Sequence, residues 1–189
     1  MIYIQTSSRD NENMYKTLEN AIPLINVRRF VDDATYARLA IHHPDGKIHF
    51  WANKPGKHNC NITRAAIHQI PEGTRIYFQH TPGQLYYRGV VSMAVFNNVA
   101  LADHLWGKYK DGSSFQYIYT IRDLTKLSRF GIFMKDACLA FGSTREYFNG
   151  VTRLEEVKER RFVNYVQARE ELGIEMTQFW ENYDFDREN

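Results

Sequence analysis

Cysteine, net charge and long apolar runs are all scarce in this chain, and each shortage removes a class of protein. Cys60 and Cys138 are the two cysteines among 189 residues, too few for a disulfide framework or a zinc site of the usual kind. A formal net charge of +2 and a pI near 8.5 exclude the broad positive footprint that coats non-specific DNA binders. No stretch reaches the ~18 apolar residues of a membrane span, and the opening Met-Ile-Tyr-Ile-Gln lacks the basic start and apolar core of a secretory signal. The expected location is the cytoplasm, with no membrane association.

Catalytic patterns are missing too. No His-Glu-x-x-His, no Cys-x-x-Cys, and no His-x-Glu followed by a cysteine pair accompanies the seven histidines, so zinc hydrolase and zinc deaminase chemistry lacks its ligands. Neither Gly-x-x-x-x-Gly-Lys-Ser/Thr nor Gly-x-Gly-x-x-Gly occurs, which removes the loops that cradle phosphates in nucleotide-driven enzymes. Glu156-Val157-Lys158 matches the Glu-x-Lys of some nucleases, but charged helices produce that spacing as ordinary surface. No catalytic residue, metal ligand or cofactor is therefore expected, and the chain reads as a binding module rather than an enzyme.

What is present is aromatic. Twelve Tyr, twelve Phe and three Trp make 14% of the chain, and such rings serve both as core and as stacking platforms for bases. Basic residues come in pairs, Arg28 with Arg29, Lys54 with Lys57, Lys108 with Lys110, and Arg160 with Arg161. Acidic residues gather in the last fifth, leaving the remainder more basic than the total.

The periodicity predicts one α+β domain over residues 1–175 and an acidic, aromatic tail over 176–189. Residues 2–6 alternate as a strand, and the polar run to Asn13 leads into a short helix carrying Met14, Leu18 and Ile22, ended by Pro23. Residues 36–42 and 47–51 flank Pro44-Asp45-Gly46 and read as a hairpin. A polar loop over 53–61 precedes a helix over 62–70. The segments 74–80 and 85–94, joined through Pro82-Gly83, form the clearest hairpin, with Gly89 marking a bulge or close backbone approach. Residues 95–113 read as loop, 115–121 as a central strand, 128–143 as loop with short strand, and 153–171 as the longest helix.

Three stretches in this order resemble the YTH domain. They are the opening strand with Ser8-Arg9-Asp10-Asn11-Glu12-Asn13; Trp51 followed by Arg75-Ile76-Tyr77-Phe78 and Tyr87-Arg88-Gly89-Val90-Val91; and Trp106 before Phe115-Gln116-Tyr117-Ile118. Residues 142–154 are as similar to the related PUA-like EVE and ASCH domains. The resemblance implies a small curved or barrel-like mixed sheet with flanking helices. It also implies a reader of methylated nucleic acid. Arg9 stands where eukaryotic readers carry Asn, and a long segment separates Asn13 from Trp51, which suits the prokaryotic readers of modification-dependent restriction systems.

A methylated exocyclic amine presents one apolar group and one remaining N–H, so its reader needs a dry aromatic box and an acceptor. The resemblance places Trp51 and Trp106 as walls, with Phe115, Tyr109 or Phe96 as a third. It gives the N–H to the Ala52 carbonyl and a ring nitrogen to Asn13. Arg9, Lys54, Lys57, Lys108 and Lys110 are expected on phosphates. In duplex DNA the base must flip out, and the segments 53–61 and 81–84 are candidates to fill the gap. The expected partner is DNA carrying N6-methyladenine, with a nuclease or NTPase partner supplying any cleavage. A 5-methylcytosine reader, an RNA-binding PUA or ASCH module and a protein-interaction domain remain the alternatives.

Overall fold

The computed structural model describes residues 1–7, 12–53, 70–80, 83–146, 148 and 150–172, with the backbone alone at Phe96 and Ser128. The expected loop 53–61 after Asn53, all but the last residue of the helix 62–70, the tail, and Arg9, Lys54 and Lys57 lie outside these residues.

Seven strands are described: β1 (Ile2–Thr6), β2 (Ile22–Pro23), β3 (Lys47–Asn53), β4 (Arg75–His80), β5 (Gln84–Phe96), β6 (Tyr117–Lys126) and β7 (Val151–Arg153). They form one sheet in the order β2-β3-β6-β5-β4-β1-β7. The helices are α1 (Glu12–Met14), continued by a π turn over Tyr15–Glu19, then α2 (Leu24–Val27), α3 (Asp33–His42), α4 (Val99–Trp106), α5 (Met134–Ala140) and α6 (Glu156–Leu172). The α+β class, the hairpin of β4 with β5, central β6 and the long last helix are as the sequence predicts. Gly89 is the close approach it suggests, because a Cβ there would overlap Ile121 Cγ2.

Four elements differ from expectation. Residues 33–42 are helix, not the first arm of a hairpin. Asp32 caps it by accepting the Thr35 N–H at 2.6 Å, and that bond holds the Asp32 carboxyl below its usual value. The turn after it is real, closed by the Gly46 N–H on the His43 carbonyl at 2.9 Å, but it joins helix to strand. Ile22 belongs to β2, since the first helix ends at Asn20, whose N–H bonds the Tyr15 carbonyl. The stretch expected as loop around Trp106 contains α4, because Asn98 accepts the Leu101 N–H at 2.9 Å and Leu101, Ala102 and Leu105 bury one face. Residues 134–140 are also helix. Met134, Ala137 and Cys138 face inward, and Gly142, at φ 74°, closes the end as the Gly142 and Ser143 N–H groups bond the Leu139 and Cys138 carbonyls.

The chain divides into two compact units, one drawn from Met1–Arg9, Tyr77–Arg88 and Thr125–Asn189, the other from Asp10–Ile76 and Gly89–Leu124. The first has a core of Ile2 and Ile4 of β1, Tyr77, Leu85, and the inward faces of α5 and α6. Phe162, Tyr165 and Val166 of α6 are almost fully enclosed there, each worth ~1.5–3 kcal/mol against exposure. Val157, in the first turn of α6, is exposed. Burial pushes the Cys138 thiol in this core up to about 11, leaving it protonated and inert. The second unit packs Leu39 of α3, Ile48, Phe50 and Ala52 of β3, and α4 into a separate core. Beside it a buried polar chain runs from His43 Nε2 to Ser92 Oγ at 3.0 Å and on to Thr120 Oγ1 at 2.8 Å.

Candidate nucleic-acid interface

The second unit holds most of the described site candidates, and β3 decides how they are arranged. Successive side chains of a strand point to opposite faces. Ile48, Phe50 and Ala52 lie in the core that includes Trp106, Phe115 and Ile118, so His49, Trp51 and Asn53 project from the other face. The antiparallel register with β6 sets Trp51 opposite Tyr119, Asn53 opposite Tyr117 and His49 opposite Ile121, and directly paired residues share a face. The backbone of the sheet therefore stands between Trp51 and the Trp106 group.

Trp106 ends α4 and is 8% exposed. Its ring lies 5.3 Å from that of Phe115, and Phe115 lies 4.8 Å from Tyr109. The Trp106 indole N–H donates to Thr17 Oγ1 at 3.2 Å, and the Thr17 hydroxyl donates to the Asn13 carbonyl at 3.2 Å. Trp106, Phe115 and Tyr109 are thus brought together, and Trp106 is tied to the segment that starts with Asn13.

Across the sheet, Trp51 is 5% exposed, with Tyr117 and Tyr119 also buried. Asn53, expected at the start of a polar loop, instead ends β3 and is one polar group of this face. Its side chain reaches the Tyr119 hydroxyl, whose acidity burial suppresses strongly, and its amide nitrogen is buried with no well-formed hydrogen bond among the described residues. His49 is similar. Burial holds it below its ordinary value, it bonds the Leu18 and Thr17 carbonyls, and its Nδ1 has no partner among the described residues. Unpaired buried polar atoms are rare in proteins and each costs ~1–3 kcal/mol. Two on one aromatic face are what a site awaiting a hydrogen-bonding ligand would leave. The signal was available, since Asn53 follows Trp51 at the strand period of two.

Of the residues expected on phosphates, Lys108 lies 3.8 Å from the Asp103 carboxylate, and Lys110 is exposed in the turn after α4. No metal-binding group of His, Cys, Asp or Glu occurs among the described residues, and no described helix is long and apolar enough to cross a membrane.

No protein-family model matches the sequence, and no curated protein matches it. Among solved structures, the fold is similar to the N-terminal domain of Thermococcus gammatolerans McrB bound to m5C DNA, with a TM-score of 0.63, 13% identity, and coverage of 88% of this chain and 96% of that one.

Proposed function

We propose that the chain reads DNA carrying a methylated base, flipping the base out of the duplex and holding it against Trp51, as the recognition part of a modification-dependent restriction system. The observation that carries the reading is the buried Asn53 amide nitrogen, without a well-formed hydrogen bond among the described residues, beside the Trp51, Tyr117 and Tyr119 rings. The rings would supply the dry stacking surface, and the amide would donate to a ring nitrogen or carbonyl oxygen of the base. Trp106, Phe115 and Tyr109 would act from behind the sheet, holding the Asn13 segment in place through Thr17. The Ala52 carbonyl would accept the base N–H. Lys108 and Lys110, with Arg9, Lys54 and Lys57, would meet phosphates.

The fold supports this reading, because the McrB domain it matches was solved bound to m5C DNA. That same complex favours 5-methylcytosine as a second reading beside N6-methyladenine, the mark implied by the YTH-like order of residues. Both bases present an apolar methyl to the rings and an acceptor to Asn53. The module itself is read as non-catalytic, with cleavage left to a nuclease or NTPase partner.

The test is a titration of matched duplexes, unmethylated, N6-methyladenine and 5-methylcytosine, by fluorescence anisotropy. One methylated duplex should bind more tightly, and Trp51→Ala should remove ~1–3 kcal/mol of stacking, mainly from that duplex. Equal binding of all three duplexes would overturn the reading.

A further inference from the structure

The first unit contains a cleft that no expected site residue lines. It encloses about 530 Å³ between the end of α5, β7 and the start of α6. Phe141 and Phe148, each 6% exposed, line its apolar part, their rings 6.5 Å apart. Arg145, Arg153 and Lys158 line it together with Ser143, Thr144 and a single carboxylate, Glu155.

The charges in this cleft are unevenly compensated. Lys158 pairs with Glu155 at 2.8 Å, which leaves both arginines without an ion-pair partner among the described residues. Each has a fixed place in the fold. The Arg145 guanidinium sits 5.7 Å from the centre of the Phe148 ring. Arg153 is fixed on β7 by its pairing with Tyr3 of β1, and its charge reaches the Tyr3 hydroxyl, where it opposes the effect of burial. Two other cations of this unit are paired, Arg88 with Glu170 and the N-terminal amine with Glu159. Two guanidinium groups at one open cleft, neither with an ion-pair partner among the described residues, suit phosphodiester oxygens, which each planar guanidinium can meet with two N–H donors.

We infer that this cleft holds the sugar–phosphate backbone of duplex DNA, with Arg145 and Arg153 as the phosphate contacts and Phe148 as the support that fixes Arg145. The inference rests on the reading of the chain as a DNA-binding module. It moves the backbone contacts beyond the lysines of the second unit. Contacts of this kind position the protein and carry no base information. Glu155 opposes phosphate binding at the rim, so its neutralisation strengthens it.

The experiment measures affinity for methylated and unmethylated duplexes across a range of salt concentrations, using Arg145→Gln, Arg153→Gln, the double variant, the two lysine replacements and Glu155→Gln. Near-UV circular dichroism verifies the fold of each variant. Each lost phosphate contact should flatten the slope of log affinity against log salt by ~0.9. The glutamine variants should weaken both duplexes by the same factor and leave the methyl preference unchanged. The lysine variants should restore the slope, and Glu155→Gln should tighten binding.

An unchanged slope in a folded double variant would overturn the cleft assignment. If methyl preference persists in that case, the reading of the second unit stands alone. If the wild-type protein has no methyl preference but the slope flattens as expected, the cleft stands and the base-reading proposal falls. A slope change seen with single-stranded RNA and absent with duplex DNA also overturns the inference.

Discussion

Replacing Asn53 with leucine separates a ligand-binding amide from a structural one, because the two roles predict opposite effects on stability. Leucine keeps the branched heavy-atom skeleton of asparagine with bulkier ends, and Asn53 is 8% exposed at the end of its strand, so the change creates no cavity. In the free protein the amide nitrogen is an unpaired buried donor, and removing it should return ~1–3 kcal/mol. The bond to the Tyr119 hydroxyl is lost at the same time, which costs ~0.5–1.5 kcal/mol. The two together leave Asn53→Leu about as stable as the parent, or up to ~2.5 kcal/mol more stable. Binding moves the other way. An acceptor on the flipped base would be left without its donor, at a cost of ~1–3 kcal/mol, or roughly fivefold to a hundredfold in Kd for the methylated duplex. Urea denaturation gives the first quantity and fluorescence anisotropy the second. A variant that loses more than ~2 kcal/mol of stability yet keeps full affinity would show that the amide serves the fold, and the base site would have to be sought on another surface.

Other perturbations test the scaffold. Burial holds both His43 and His49 below their ordinary value, so below pH ~6.5 the unfolded chain binds more protons than the folded one. Stability should be full above that pH and fall as pH drops, by up to ~1.4 kcal/mol per pH unit for each histidine; a flat denaturation midpoint between pH 7 and 5 (about the range that isolates histidine) would refute it. Gly89→Ala drives a methyl group into Ile121 Cγ2 and should cost ~1–3 kcal/mol, partly recovered by Ile121→Leu, which moves the branch; an undiminished urea midpoint would remove the close-approach argument. Thr17→Val keeps the volume but leaves the Trp106 indole N–H without its acceptor, a loss of ~1–3 kcal/mol that a thermal melt would register and that an unchanged Tm would contradict.

Local chemistry made part of this fold legible. The hairpin of β4 and β5 could be read because β-branched and aromatic residues fill both arms and Gly83, at φ 113°, takes the turn conformation that glycine adopts freely. Helix α3 was hidden by its own C-terminal turn, since Pro44-Asp45-Gly46 signals a reversal without saying which element enters it. Its N-cap, Asp32, was the better guide. Helices α4 and α5 are too short for a clear period, and their caps at Asn98 and Gly142 carried the information. The tryptophans were legible as residues of interest, but their sidedness was not. Whether Trp51 and Trp106 share a face depends on Phe50 and Ala52 packing beneath α4, a contact between segments far apart in sequence. Arg145 and Arg153 gave no local signal, because the cleft exists only once α5, β7 and α6 have come together.

The two cores are threaded by shared strands. β5 gives Leu85 to one and Met93 and Val95 to the other, while β6 gives Ile118 to the second and leads directly into Leu127 of the first. No single cut in the polypeptide releases either unit whole. An engineer wishing to transplant the second unit alone would have to sever three strands in mid-course, so shortening the chain is a problem of rewiring connections rather than of choosing a boundary.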